Sequence, residues 1–343
     1  MAGQNGVGKR RRGPTLADVA RLAKVSSSAV SRTFKNGSSV SKETRSRVLK
    51  AAGKLGYRPN LLASSLMTGR SSLIALASNA FNDPQVMTII DTFTIELQQR
   101  HLRPLIFNLS RMKDWGETVA LMSQYQIDGI IIASSTLDQN FIADILKSGI
   151  PTVIAFGRDV NEVGISASFV DNTEGGHIAA RELLRRGYEH FGFIGARPDV
   201  TSTMDRLSGF TGELSRNKCK LFVTFSSEYS HAGGRRAVSE LLGQHPTIDA
   251  IFCADDLLAM GAMDGIRYDL GRSIPELGVI GFSDMQMAAW PSYDLSTFRT
   301  DVDRVVQNAI DIMQAQIGSG TRSVEKRIVG CEIVIRKSLR AVS

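Results

Sequence analysis

The sequence is short of three things, and each shortage narrows what the chain can be. It has only three cysteines, Cys219, Cys253 and Cys331. They are too few and too scattered for a disulfide framework or a cysteine-built metal site, and none forms a Cys-x-x-Cys pair, which fits a reducing cytosol. No apolar run approaches the roughly 18–20 residues that a membrane span needs. The opening "MAGQNGVGKRRR" has no apolar stretch behind its basic residues, so no secretory leader is expected. The third shortage is of acid at the front. Residues 1–70 carry 15 lysines and arginines against Asp18 and Glu43 alone, a balance of +13, whereas the whole chain stands at +7. A basic front on a mildly acidic body implies a polyanion-binding module joined to something with another task.

The 343 residues suffice for more than one domain. Near the start, "GQNGVGKR" matches a phosphate loop up to Lys9, but Arg10 stands where the magnesium-binding hydroxyl belongs and no strand precedes it. Residues 1–14 are therefore expected to be a disordered basic tail. Thr15 followed by Asp18 is a capping-box-like helix start, and Leu16, Val19, Ala20 and Ala23 recur at helical spacing. "AKV" breaks the pattern. Ser26 can cap a second helix, with Val25 and Val30 at the staple positions. A third helix is expected from about Ser41 to Leu55, with Val48, Leu49, Ala52 and Leu55 on its inner face.

Helix, tight turn, helix and supporting helix in a strongly basic setting describe a helix-turn-helix reader of double-stranded DNA over residues 15–58. In that geometry Ser27 and Ser28 head the helix that enters the major groove. Arg32, one turn beyond Ser28, can fork onto guanine O6 and N7. Ser26 and Ser31 suit phosphate contacts, and Thr15 is placed in the same DNA-contacting set. Residues 59–70, "PNLLASSLMTGR", predict a short hinge helix capped by Asn60. It is too short to be stable alone, and Leu66 can wedge into the minor groove.

From Ser72 onward, short apolar runs such as "LIALA", "DGIIIA", "FGFIG", "AIFCA" and "LGVIGF" alternate with helix-length amphipathic segments. Runs of that kind predict buried parallel strands in βαβ units. Their spacing predicts two sheets, about 71–165 and 166–295, with crossovers near 297 and 326 and a late helix within "STFRTDVDRVVQNAIDIMQAQ". In such sheets ligands bind beyond the carboxyl ends of the strands. His177, His190 and Trp290 suit packing roles.

The stretch "TLADVARLAKVSSSAVSRTFKNGSSVSKETRSRVLKAAGKLGYRPNLLASSL" resembles the headpiece and hinge of the lactose-repressor/galactose-repressor (LacI/GalR) family. "FNDP", "SFVDN", "TMDRLSGF", "CADDLLAMGAM", "GVIGFSDM" and "LSTFRTD" extend the resemblance to that family's periplasmic-binding-protein-type sensor, over residues 71–343. The resemblance implies that Ser27, Ser28 and Arg32 read operator bases and that Asn60, Ala63 and Leu66 form the minor-groove hinge. It implies an effector pocket at Asn79, Asp83, Asp171, Arg206, Tyr229, Asp255 and Ser283. Such a set suits a sugar or another polyol: carboxylates and an amide for hydroxyls, a two-point fork from Arg206 and an aromatic face from Tyr229. Four positions depart from the family pattern: Ala29 replaces a Thr, Ser283 and Gly157 each replace an Asp, and Asp255 replaces an Asn.

The expected function is thus a cytoplasmic, sequence-specific transcriptional regulator, most simply a repressor, controlled by a sugar-like effector and acting as a homodimer. The tail "CEIVIRKSLRAVS" carries no repeated heptads that would make a tetramer. A soluble sugar-binding transport protein would share the sensor half; the basic front and missing leader count against it. No enzyme is expected, because Gly-x-Ser-x-Gly, His-Glu-x-x-His and a strand-to-helix Gly-x-Gly-x-x-Gly are all missing. Neither cofactor nor metal is implied.

Overall fold

The computed structural model describes residues 13–34, 39–58, 69–110, 114–136, 139–158, 164–320 and 323–342. The first twelve residues and Asn60, Ala63 and Leu66 lie outside them. The chain divides into two compact units, residues 1–71 and 72–343.

In the first unit, α1 (Leu16–Ala23), α2 (Ser27–Thr33) and α3 (Lys42–Leu55) each start at a hydroxyl cap. Thr15 accepts a hydrogen bond from the Asp18 amide, and Asp18 accepts one in return from the Thr15 amide at 3.0 Å. These bonds from Thr15 hold the Asp18 carboxyl below the usual carboxylate range. α1 stops at Lys24, which takes a left-handed φ of 53°. The core is small: Val19, Ala20, Ala23, Val30, Val48, Ala51 and Ala52, with Val25, Leu55 and the Phe34–Tyr57 ring pair at its rim. Alanines let the three short helices approach closely. Leu49 is not on the inner face; it is 48% exposed, because Ala51 completes the 48–52–55 stripe.

The second unit has two lobes. Sheet order in the first lobe is β2–β1–β3–β4–β5–β11, all parallel: β1 (Leu73–Ser78), β2 (Arg103–Asn108), β3 (Gly129–Ala133), β4 (Thr152–Ala155), β5 (Ser166–Val170) and β11 (Lys326–Val329). Alternate residues face opposite layers. Ile74 and Leu76 pack with α4 (Pro84–Gln99) and α11 (Val302–Ser319). Ala75 and Ala77 pack with α5 (Trp115–Gln124) and α6 (Gln139–Ser148). Both faces of β1, β3 and β4 are covered, which is why these central strands read as unbroken apolar runs.

The second lobe's sheet runs β7–β6–β8–β9, also parallel: β6 (Phe191–Gly195), β7 (Leu221–Phe225), β8 (Ala250–Cys253) and β9 (Gly278–Ile280). Its helices are α7 (Asn172–Arg185), α8 (Thr201–Arg216), α9 (His231–Gln244) and α10 (Asp256–Asp264). An antiparallel pair, β10 (Thr297–Thr300) with β12 (Cys331–Val334), completes it.

The partition differs from the expected one at its edges. Ser166–Val170 joins the first sheet, so the chain passes between lobes after Val170, again between Thr300 and Val302, and again between Val329 and Cys331. Pairing of β5 with both β4 and β11 decides this, and no local pattern reveals it. In the first sheet β1 leads outward to β2 and the chain then crosses to β3; in the second, β6 leads to β7 and crosses to β8. Each sheet therefore has a switch point, where loops diverge beyond the strand ends and leave room for a ligand.

Candidate nucleic-acid interface and effector cleft

In the first unit Ser26, Ser27, Ser28 and Arg32 are exposed and Ser31 is half-buried. The Ser26 hydroxyl accepts the Ala29 amide at 3.2 Å and lies 2.9 Å from the Ser28 hydroxyl. Ser28 and Arg32 are four apart, so they share one face of α2. Among the described residues Arg32 has no carboxylate partner, which leaves its guanidinium to solvent. Thr15 is exposed too, but its hydroxyl is engaged by Asp18 at 2.7 Å. Sequence reasoning missed Arg47. Its guanidinium, from α3, donates to the Ala23 and Lys24 carbonyls at 2.7 Å each, closing the end of α1 and locking the turn.

In the second unit a solvent-open cleft with a cavity volume of about 110 Å³ lies between the lobes. It gathers Asp83, Arg206, Tyr229, Asp255 and Ser283 from five separate segments. Asp83 caps α4, its carboxylate accepting the Gln85 amide at 2.8 Å. Asp255 caps α10, accepting the Leu258 amide at 2.8 Å. The Asp83 carboxylate also accepts from the Val86 amide, whereas the second oxygen of Asp255 has no hydrogen-bond partner among the described residues. Burial raises the pKa of both. That of Asp255 lies well above the carboxylate range, and the negative charge of Asp83 adds to the effect.

Arg206 is buried on α8, with its guanidinium carbon 3.6 Å above the centre of the Phe282 ring. Its Nε donates to Asn172 at 2.9 Å and its Nη1 to the Ala254 carbonyl. The expected two-point fork through Nε is therefore already spent inside the protein, and Nη2 is the nitrogen left for a ligand. Burial lowers the pKa of Arg206 and raises that of Tyr229, whose hydroxyl pairs with Thr203. α7 and α8 meet through glycines: a Cβ on Gly176 would stand 2.2 Å from the Arg206 carbonyl, and one on Gly209 1.9 Å from that of Thr173. This contact seats Arg206 beside Asn172. Ser283 holds an unusual φ of 129° while its amide donates to Phe298 at 3.0 Å.

Two expected residues are not in this cleft. Asp171 caps α7 through the Glu174 amide at 3.0 Å, and its neighbour Asn172 lines the wall instead. The one-residue difference follows from the helix start, which commits Asp171 to capping. Asn79 bonds Ser134 and the Thr136 carbonyl and lines an adjoining cavity. Gln85, Ser135, Phe156, Ser202 and Thr300 complete the cleft without having been anticipated. Gly157, where the family often has Asp, has no room for any side chain: a Cβ there would lie 2.3 Å from the Ser134 carbonyl. No group of three or more His, Cys, Asp or Glu among the described residues is placed to hold a metal, and no described helix is long and apolar enough to cross a membrane.

Comparison with known proteins places these features in one lineage. Residues 15–60 match the model for bacterial regulatory proteins of the lacI family, and residues 180–339 match the periplasmic binding protein-like domain. The HTH-type transcriptional repressor CytR of Escherichia coli (strain K12) is 28% identical over 346 residues, covering 97% of this chain and 98% of CytR. The HTH-type transcriptional regulator CelR of Thermobifida fusca is 26% identical over 340 residues, covering 96% and 99%. Among solved structures, the lac repressor dimer bound to operator and the anti-inducer ONPF superposes with a TM-score of 0.84 at 23% identity, over 96% of this chain and all of that one. The CelR–cellobiose complex gives 0.73 at 24%, over 95% and 99%. Residues 15–60 thus carry the match to the lacI family of bacterial regulatory proteins, and the chain is a DNA-binding transcriptional regulator controlled by a small molecule.

Proposed function

We propose that this regulator is a cytoplasmic repressor whose grip on operator DNA is set by a sugar or sugar derivative bound between the lobes of its sensor. The observation that carries this reading is the cleft itself, where loops beyond the strand ends of two parallel sheets converge on Asp83, Arg206, Tyr229, Asp255 and Ser283. The second carboxylate oxygen of Asp255, Nη2 of Arg206 and the Ser283 hydroxyl suit a ligand rich in hydroxyl groups. Related proteins with bound cellobiose or ribose support the same ligand class.

On the DNA side, Ser27, Ser28 and Arg32 contact base edges and Ser26 and Ser31 contact phosphate, while Asn60, Ala63 and Leu66 take the minor groove. Two copies bind the halves of a near-palindromic site. The apolar side chains left exposed at Met87, Ile95, Val223 and Phe225 are suited to meeting a second copy, as in the lac repressor dimer. Ligand changes the relation of the lobes, and that change alters how well the DNA-binding units are held for the operator.

Selection of genomic duplexes by the purified full-length protein tests the reading, followed by a thermal-shift screen of sugars and polyols. A recovered near-palindrome is expected. Arg32→Ala should lose about 1–3 kcal/mol of preference for that duplex while keeping weak, salt-sensitive binding. A wild-type protein that prefers no duplex at any ionic strength would overturn the proposal.

A further inference from the structure

The two lobes are joined beside the cleft by contacts other than those of Asp83, Arg206, Tyr229, Asp255 and Ser283. Arg158, just beyond β4 in the first lobe, meets Asp205 of α8 in the second with both arms: Nε to one carboxylate oxygen and Nη2 to the other, each at 2.7 Å. The Asp205 side chain is 16% exposed and that of Arg158 36%, so the pair is partly shielded from water. A second bridge lies beside it. The Ser135 carbonyl, in the loop after β3, accepts both the amide of Thr201 at 3.0 Å and its hydroxyl at 3.1 Å. Thr201 is the first residue of α8, and Val200 before it provides no side-chain cap. The opposite lobe thus supplies the bond that a capping residue gives elsewhere.

Both bridges start from adjoining loops in the first lobe, and Gly157 brings them together. A Cβ there would lie 2.3 Å from the Ser134 carbonyl and 2.9 Å from the Ser135 Cα, so glycine alone lets the two loops close up. Both bridges end on one helix, α8, which also carries Arg206 into the cleft. Asp205 and Arg206 are consecutive, so one turns to the other lobe while the next faces the ligand.

We propose that Arg158 and Asp205, with Ser135 and Thr201, are a latch that fixes the relation of the two lobes of the sensor independently of the groups that face the ligand. An effector that favours a different relation of the lobes must break these bonds, and its apparent affinity is reduced by the scarcity of the unlatched fraction. Because the latch includes a partly exposed ion pair, raising the salt concentration loosens it. Arg206 and Asp205 share one rigid helix, so a ligand that shifts Arg206 strains or relieves the latch directly.

This inference rests on the sensor reading above, yet its test needs neither effector nor operator. The Thr201 amide reports the latch, since its partner belongs to the other lobe. Hydrogen exchange at Thr201 is measured by mass spectrometry on the full chain without ligand, with Ile131 and Ile251, buried in strands of the two lobes, as internal controls. Arg158→Gln and Asp205→Asn should each raise Thr201 exchange by about tenfold and leave the controls protected. The exchanged pair Arg158→Asp with Asp205→Arg should restore protection. Wild-type exchange in both single variants, or a double variant that exchanges as fast as they do, overturns the latch. Loss of protection at the control strands would mark a folding defect, and the salt dependence of Thr201 exchange in the unaltered chain then serves as the probe: a rise with salt supports the latch, and no change overturns it. Failure to find a preferred duplex would sink the regulator reading instead and leave this measurement standing.

Discussion

The DNA-facing unit and the effector cleft place their charges in opposite surroundings. On the first unit Arg21, Lys24, Arg32, Arg45 and Lys50 all stand exposed. Of these, Arg21 pairs with Asp18 at 3.2 Å; such solvent-exposed cations suit a long polyanion, whose binding releases counterions. In the cleft the charged groups are few, buried and held. Arg206 is clasped by Asn172, the Ala254 carbonyl and the Phe282 ring, and Asp255 is committed by one oxygen to a helix cap. A pocket that must tell one small polar molecule from another cannot rely on mobile charge. Its selectivity comes from leaving a specific atom unpaired.

The largest effect that would sharpen this contrast is Arg206→Met. Methionine retains contact with Phe282 but strands the Asn172 and Ala254 acceptors. The sensor should lose about 3 kcal/mol in thermal unfolding and all response to effector, with operator binding kept. A normal effector response would place the ligand elsewhere.

Next in size is the pH response of Asp256, a buried acid in the same lobe. It accepts the Thr297 hydroxyl at 2.5 Å and the Met285 amide at 2.8 Å, yet burial pushes its pKa up to about 6. A raised carboxyl pKa in the folded state means the folded protein holds its proton longer than the unfolded chain does. The stability associated with that proton is therefore present below about pH 4 and is lost as pH rises through about 6. Asparagine can keep both bonds, its oxygen accepting Met285 and its amide donating to Thr297. Asp256→Asn should thus become relatively more stable than the parent above pH 6, approaching about 3 kcal/mol in denaturant titrations. Parallel stability curves from pH 4 to 8 would show that Asp256 does not titrate in this way.

The smallest effect belongs to the exposed unit. Ser26→Ala removes one cap from α2 and should cost about 1 kcal/mol of that unit's stability, with no effect on effector binding measured on the same protein. A change in effector affinity would break the separation of the two regions.

The same contrast explains what could be read in advance. In the first unit caps and spacing act along one helix at a time, so the Ser26 cap and the exposed face that Ser28 and Arg32 share were legible from the sequence alone. Even there, Arg47 was hidden, because its partners at Ala23 and Lys24 are set by how α3 crosses α1. In the sensor, apolar runs announced strands wherever both faces are covered. The edge strand β7, with Val223 and Phe225 exposed, did not announce itself, nor did β11 and β12 within a charged tail. Asp171 and Asn172 differ by one residue in sequence, and only the start of α7 determines which faces the cleft.

The order of residues by itself determined a basic three-helix reader in front of an α/β sensor, because caps and periodic apolar side chains act over a few residues and need no distant partner. Which acids meet in the cleft, where β5 pairs and that Arg158 finds Asp205 were decided only when the two sheets assembled. Those contacts join segments tens of residues or more apart, and their strength depends on burial and geometry that no local pattern carries.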